Sequence, residues 1–277
     1  MRKINYPLIV SDFDGTLVKK DGAIDEYNKE MIKEYRQSGG TFAISTGRLP
    51  VGILPRAREL GLEGMLCCCQ GAIIMDIQTG KAILDEKLSY ETTLAIVEKM
   101  EELGLHIHLY DSWNYYSNMD DEALKYYEYA VRVKAVRVLD KPLSQFVREN
   151  RFQTYKVLAM LLPEDSERIA KALKEENFEN CEITRSDRFM IEVINAKYSK
   201  GTAVEFLANY CQTPIEKVVA IGDQLNDLPM IERAGLGVAV QNADEALKNC
   251  ANYVCEYTNE EGAVGKIIEK FGFIGQE

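Results

Sequence analysis

Short, mostly apolar runs alternating with helical stretches constrain this chain more than any other feature. Leu8-Ile9-Val10 is the first run, Thr41 to Ser45 the second and Met65 to Cys69 the third. Between them, Asp25 to Gln37 carries Tyr27, Met31, Ile32 and Tyr35 at helical spacing and stops at Gly39-Gly40. Leu49 to Leu60 also reads as helix, with limits blurred by Pro50 and Pro55. The far end resumes the rhythm. Lys200 to Tyr210 is helical, Val218 to Ile221 a buried strand, Asn226 to Ala234 a helix, Gly237 to Val240 a strand and Gly262 to Phe271 a last helix. Apolar strands separated by helices imply a parallel sheet covered on both faces.

The middle of the chain reads differently. Ala72 to Met75 and Ala82 to Leu84 flank Gln78-Thr79-Gly80, a hairpin signal. Helices are expected over Tyr90 to Leu103, Asp120 to Val131 and Asp165 to Asn177. Strands are expected over His106 to Tyr110, Tyr155 to Leu162, Cys181 to Arg185 and Met190 to Ile194. A chain of 277 residues has room for two domains. The expected fold is α/β: a Rossmann-like parallel-sheet core from residues 1–82 and 189–277, with an α+β cap domain, residues 83–188, inserted into it.

Composition narrows the function. Lys and Arg number 33 against 44 Asp and Glu, a net charge of −11 with no basic run to offset it, so a nucleic-acid partner is not expected. The N-terminus has too few apolar residues before Asp12 for a signal-peptide core, and nowhere is there a run long enough for a bilayer. A soluble, cytoplasmic protein is expected. The seven cysteines contain no C-x-x-C pair, and Cys67 to Cys69 read as small buried hydrophobes in a strand. Oligomeric state is not legible.

Carboxylates collect where strands end. Asp12 and Asp14 follow the first strand, Thr46 the second, and Asp223 and Asp227 the strand ending at Ile221. Open parallel sheets bind ligands at the carboxyl ends of their strands, so these segments deliver polar groups to one rim. Two adjacent anions demand a cation, and Mg2+, which takes one or two carboxylates plus phosphate and water, suits them. A carboxylate can accept a phosphoryl group, and a second can exchange protons with the leaving oxygen and water. Charge and spacing do not say which of Asp12 and Asp14 does which. Lys200, opening a helix with Gly201-Thr202, adds positive charge where helices already favour anions.

Four segments together carry a resemblance: Asp12-Phe13-Asp14-Gly15-Thr16-Leu17, Ser45-Thr46-Gly47-Arg48, Lys200-Gly201, and Gly222-Asp223-Gln224-Leu225-Asn226-Asp227. In this order, with an insertion between the second and third, they resemble the haloacid dehalogenase (HAD) superfamily phosphatases, most closely the Cof-type hydrolases of subclass IIB. The resemblance covers essentially the whole chain. It implies that Asp12 attacks phosphorus and binds the metal through its other oxygen. Asp14 would be the general acid/base and offer its backbone carbonyl to the metal. Thr46 and the Gly47 amide would hold the phosphoryl group, Lys200 would steady it together with Asp12, and Asn226 would contact it. Asp223 would be the further Mg2+ ligand, with Asp227 and Arg48 in support. One departure stands out: many members carry Asn before Gly-Ala after the third strand, where this chain has Gln70-Gly71-Ala72.

The implied activity is Mg2+-dependent hydrolysis of a small phosphorylated metabolite, sugar phosphates first, with an aspartyl-phosphate intermediate and a cap that excludes water. A phosphomutase of the phosphomannomutase type and a non-catalytic phosphate-binding regulatory module are the alternatives. His106 and His108 share one face of a strand without an evident third metal ligand, so they read as cap structure. Trp113, Tyr115, Tyr116, Tyr126, Tyr127 and Tyr129 read mostly as core packing.

Overall fold

The protein is described by a computed structural model over residues 2–187 and 189–275. It divides into two compact units, one of Met1–Arg48, Leu54–Asp85 and Tyr198–Glu277, the other of Leu49–Ile53 and Glu86–Lys197. The division departs from the expected 83–188 insertion. Ala82–Asp85 stays with the first unit as the second arm of a hairpin. Met190–Asn195, expected in the core, pairs antiparallel with Cys181–Asp187 in the second unit's sheet, Cys181 opposite Asn195. Two strands joined so tightly cannot be shared between domains. The expected boundary residue Arg188 lies outside the described residues.

The first unit is built on an eight-stranded sheet in the order Tyr253–Val254, Leu236–Ala239, Val218–Gly222, Leu8–Asp12, Thr41–Ser45, Met65–Cys68, Ile73–Asp76 and Ala82–Asp85. The first six strands are parallel. The last two add an antiparallel hairpin at the edge. Every residue of Leu8–Asp12 is buried, as its place between Val218–Gly222 and Thr41–Ser45 requires. From this central strand the chain steps outward to Thr41–Ser45 and Met65–Cys68, then returns on the opposite side at Val218–Gly222. Such a reversal of strand order opens a crevice at the carboxyl ends of the two strands that flank it, here Leu8–Asp12 and Val218–Gly222.

The helices follow their punctuation. Glu26–Gln37 starts at Asp25, whose side chain accepts from the Tyr27 amide, and buries Met31, Ile32 and Tyr35. Pro50–Glu59 is helical with Pro55 inside it. The expected Asn226 to Ala234 helix is shorter: Leu225–Asp227 forms a tight turn and the α-helix is Leu228–Arg233, with a proline in its first turn. The expected last helix changes pitch after Ala263–Ile267, widening into a π-helical turn over Ile268–Gly272. Cys69 is not in the strand; it leaves it with φ 50° to enter a turn, while Cys67 and Cys68 are buried strand residues.

The second unit holds a six-stranded sheet in the order Cys181–Asp187, Met190–Asn195, Lys156–Met160, His106–Tyr110, Tyr115–Ser117 and Val136–Arg137. All neighbours are antiparallel except the last pair. Helices Tyr90–Glu102, Leu143–Asn150 and Ser166–Glu175 share one core with Ile107, Leu109, Val157, Ala159, Ile191 and Val193. Alternate residues of the same strands, Tyr110, Leu158 and Met160, join Leu124 and Tyr127 of the Glu122–Val131 helix in a second core. The aromatics divide accordingly: Tyr115 and Tyr127 are buried and Tyr116 packs on Phe146 and Phe152, whereas Trp113, Tyr126 and Tyr129 are exposed.

Candidate active site

Asp12 is the last residue of the central strand, and Asp223 follows directly on its neighbour Val218–Gly222. Parallel register brings both to the same end of the sheet. The tight turn at Leu225–Asp227 then folds Asp227 back beneath Asp223. One carboxylate oxygen of each of Asp12, Asp223 and Asp227 lies within 4.8 Å of the others, and all three residues are buried.

Lys200, at the start of the Lys200–Tyr210 helix, enters the same cluster. Its ammonium donates to Asp12 Oδ1 at 2.5 Å and to Asp227 Oδ1 at 2.5 Å, with the side chain 1% exposed. Ser199 places the helix start through a reciprocal cap with Thr202. Asp227 Oδ2 accepts from the backbone amides of Asp223 and Gln224, at 2.9 and 3.0 Å. Both oxygens of Asp227 are thus committed to fixing Lys200 and the loop. Asp223 Oδ1 accepts from Thr16 Oγ1 at 2.7 Å. Gly15 is required here twice over: its φ is 80°, and a Cβ would strike the Asp223 carboxylate.

The electrostatics are unbalanced. Three carboxylates face one ammonium, so the ionised cluster carries two uncompensated negative charges out of water. Burial pushes the Asp12 carboxyl well above the ordinary carboxylate range, and Lys200 offsets only part of this. Burial likewise raises Asp223, against the hydrogen bond from Thr16. At Lys200 burial acts to lower the pKa, but Asp12 and Asp227 together outweigh it and hold the ammonium above its usual value. The donors that remain, the second oxygen of Asp12 and the Asp223 carboxylate, are hard oxygen atoms, which suit a small divalent cation.

The other expected residues lie around this cluster. Asp14 is exposed, and both its oxygens accept from the Arg48 guanidinium, at 2.6 and 2.8 Å. Arg48 thus meets the acid/base candidate directly, a contact the sequence did not reveal. Thr46 is buried, and its Oγ1 accepts from the Arg48 amide at 3.1 Å, leaving the Gly47 amide in a tight loop. Asn226 is exposed on the turn that carries Asp227. Among the candidates, the structure gathers Asp12, Lys200, Asp223 and Asp227 and leaves the carboxylate of Asp14 outside their hydrogen-bonded cluster. Thr16 and Asn242, whose amide donates to the Gly15 carbonyl at 2.8 Å, were not singled out from sequence. Thr16 stood inside a quoted motif, but Asn242 carries no local signal.

The chain resembles known proteins over nearly its whole length. The profile of the haloacid dehalogenase-like hydrolases matches residues 9–268. A protein of Haemophilus influenzae bearing a provisional phosphatase name is 31% identical over 96% of this chain and 98% of its own. A 5-amino-6-(5-phospho-D-ribitylamino)uracil phosphatase of Bacillus subtilis is 25% identical over 95% of this chain and 97% of its own. The crystal structure of a Thermotoga maritima protein superposes with a TM-score of 0.86 at 28% identity, covering 98% of both chains. The chain belongs to the haloacid dehalogenase-like hydrolase family, as a phosphatase of the Cof type.

Proposed function

We propose that this phosphatase hydrolyses small phosphorylated metabolites, sugar and sugar-alcohol phosphates foremost, through an aspartyl-phosphate on Asp12 and with Mg2+ as its cofactor. The observation that carries the reading is the buried Asp12 carboxylate with one oxygen on Lys200 in a cluster short of positive charge. Asp12 and Asp223 would hold the metal, with the Asp14 backbone carbonyl. Bound there, it supplies the missing charge and screens an incoming phosphate from the carboxylates. The relative that acts on a phosphoribityl compound supports the substrate class.

In this reading an oxygen of Asp12 attacks phosphorus and the ester bond to the leaving oxygen breaks. Asp14 turns off Arg48, takes up a proton from solvent and donates it to the leaving oxygen, making the leaving group a neutral alcohol. It then takes a proton from the water that cleaves the acyl phosphate, returning Asp12 and releasing inorganic phosphate. Lys200 keeps Asp12 oriented throughout, and Thr46 with the Gly47 amide and Asn226 receives the phosphoryl oxygens. A cytoplasmic setting accords with Cys67, Cys68, Cys181, Cys211, Cys250 and Cys255, which form no disulfide among the described residues.

The test is phosphate release from a panel of sugar phosphates, polyol phosphates and p-nitrophenyl phosphate, with Mg2+ and with a chelator. Release that requires Mg2+ is expected. Phosphoryl transfer to a second position without net phosphate would mark a mutase and overturn hydrolysis.

A further inference from the structure

The turn after the third strand is the most strained backbone near the site. Cys69, Gln70 and Gly71 follow one another at φ 50°, 58° and 98°. Two of the three carry side chains, which disfavour this region, and such conformations persist only where the surroundings impose them. The surroundings here are the phosphate-binding loop and the Lys200 helix. The Cys69 amide donates to the Arg48 carbonyl at 3.0 Å and the Gln70 amide to the Thr46 carbonyl at 3.2 Å. On its other side, Gly71 lies so close to the Ser199 carbonyl and Ala203 that a Cβ would approach them to 2.7 and 2.9 Å.

This clamped turn fixes the Gln70 side chain. Its Nε2 lies over Gly47, 2.9 Å from where a Cβ would stand, so Gly47 is without a side chain partly to make room for it. The amide is half-buried and makes no hydrogen bond to another side chain or backbone group among the described residues. A strained turn therefore presents an unpartnered donor and acceptor beside the loop that carries Thr46 and Gly47. The side chains nearest the carboxylate cluster and Asp14 are mostly charged: Lys200, Asp223, Asp227 and Arg48.

We propose that Gln70 is a specificity-determining residue whose amide hydrogen-bonds a hydroxyl group of the substrate's leaving alcohol, which selects polyhydroxylated phosphate esters. The inference rests on the phosphatase reading above. A neutral amide both donates and accepts, and so does an alcohol hydroxyl; a carboxylate or ammonium on the leaving group would be better met by a charge. The longer arm of Gln relative to the Asn common in the family carries the amide further over Gly47.

The test compares Gln70→Leu and Gln70→Asn with the unaltered enzyme on two kinds of ester. One is the best substrate among ribitol 5-phosphate, glucose 6-phosphate and fructose 1-phosphate; the other is p-nitrophenyl phosphate, whose leaving group has no further hydroxyl. Gln70→Leu is expected to lower kcat/KM on the hydroxylated ester about 10- to 100-fold and on p-nitrophenyl phosphate less than about threefold, with Gln70→Asn between. Equal losses on both esters would mean that Gln70 only holds the loop, and overturn the proposal. So would no loss on either, or an unaltered enzyme that hydrolyses p-nitrophenyl phosphate but none of the hydroxylated esters. An unaltered enzyme inactive on both kinds of ester would instead bring down the phosphatase reading.

Discussion

Each unit buries charged and titratable side chains, and they differ in how the charge is settled. Among the described residues of the second unit, each buried charge has its counterpart. Glu128 accepts from Lys134 at 2.6 Å, from Arg137 at 3.0 Å and from the Ala135 amide at 2.9 Å. Lys156 donates to Glu192 at 2.7 Å. The histidines are settled by staying neutral: His106 Nε2 and His108 Nε2 lie 3.1 Å apart, and Tyr110 and Tyr127 share a hydrogen bond at 2.9 Å beside them. In the first unit Asp12 and Asp227 share Lys200 with Asp223 beside them, and the cluster, when ionised, is two positive charges short. Both clusters are polar, buried and hydrogen-bonded, so burial alone does not distinguish structure from chemistry. The unsatisfied balance does, because a protein keeps a costly excess of charge only where something charged comes to complete it.

The comparison breaks most visibly if its single cation is removed. Lys200→Met keeps the length and apolar stem of the side chain but leaves Asp12 and Asp227 facing each other. Unfolding by urea in metal-free buffer should show a loss of about 3–5 kcal/mol, the cost of stripping one partner from a buried ion group. Phosphatase activity should fall with it. Unchanged stability would mean that the cluster is not ionised as described.

A smaller effect sharpens the other half. Burial, with each ring's proximity to the other at His108, holds His108 well below the ordinary histidine pKa, and burial lowers His106 against the pull of Asp121. Below about pH 6.5 the unfolded chain therefore binds protons that the folded second unit refuses. Stability gained by remaining neutral is intact above that pH and is lost as pH falls, by at most about 1.4 kcal/mol per histidine per pH unit. Hydrogen-exchange protection of the His106–Tyr110 strand should drop between pH 7 and pH 5.5 once intrinsic rates are corrected. His108→Phe should flatten that drop. A drop of equal size in the variant would place its source elsewhere.

Much of this was legible in the sequence, for identifiable reasons. Five of the six parallel strands were, because each is built on an apolar run: residues 8–10, 42–44, 65–68, 218–221 and 237–239; Tyr253–Val254, only two residues long, gave no such signal. The cluster was legible because Asp12, Asp223 and Asp227 lie on strand ends that only a parallel sheet can bring together. The domain boundary was not, because the Cys181–Asp187 and Met190–Asn195 pairing depends on contacts that periodicity does not encode. The contact between Arg48 and Asp14 joins residues 34 positions apart, with a helix and a strand between them, and the Arg48 carbonyl is held by the Cys69 amide of the turn at Cys69-Gln70-Gly71. That turn in turn needs left-handed backbone at two residues other than glycine, which no local preference announces. Half of the aromatic group proved exposed for a similar reason: Tyr126 and Tyr129 lie on the outer face of a helix whose inner face is taken by Leu124 and Tyr127.

The central claim is that Asp12 is the group that takes the phosphoryl. Asp12→Asn preserves the shape of the side chain and a hydrogen-bonding oxygen for Lys200, while removing the nucleophilic charge. Steady-state phosphate release at saturating Mg2+, on protein shown by circular dichroism to be folded, should fall by at least about a thousandfold. Release within tenfold of the unaltered enzyme would contradict the assignment.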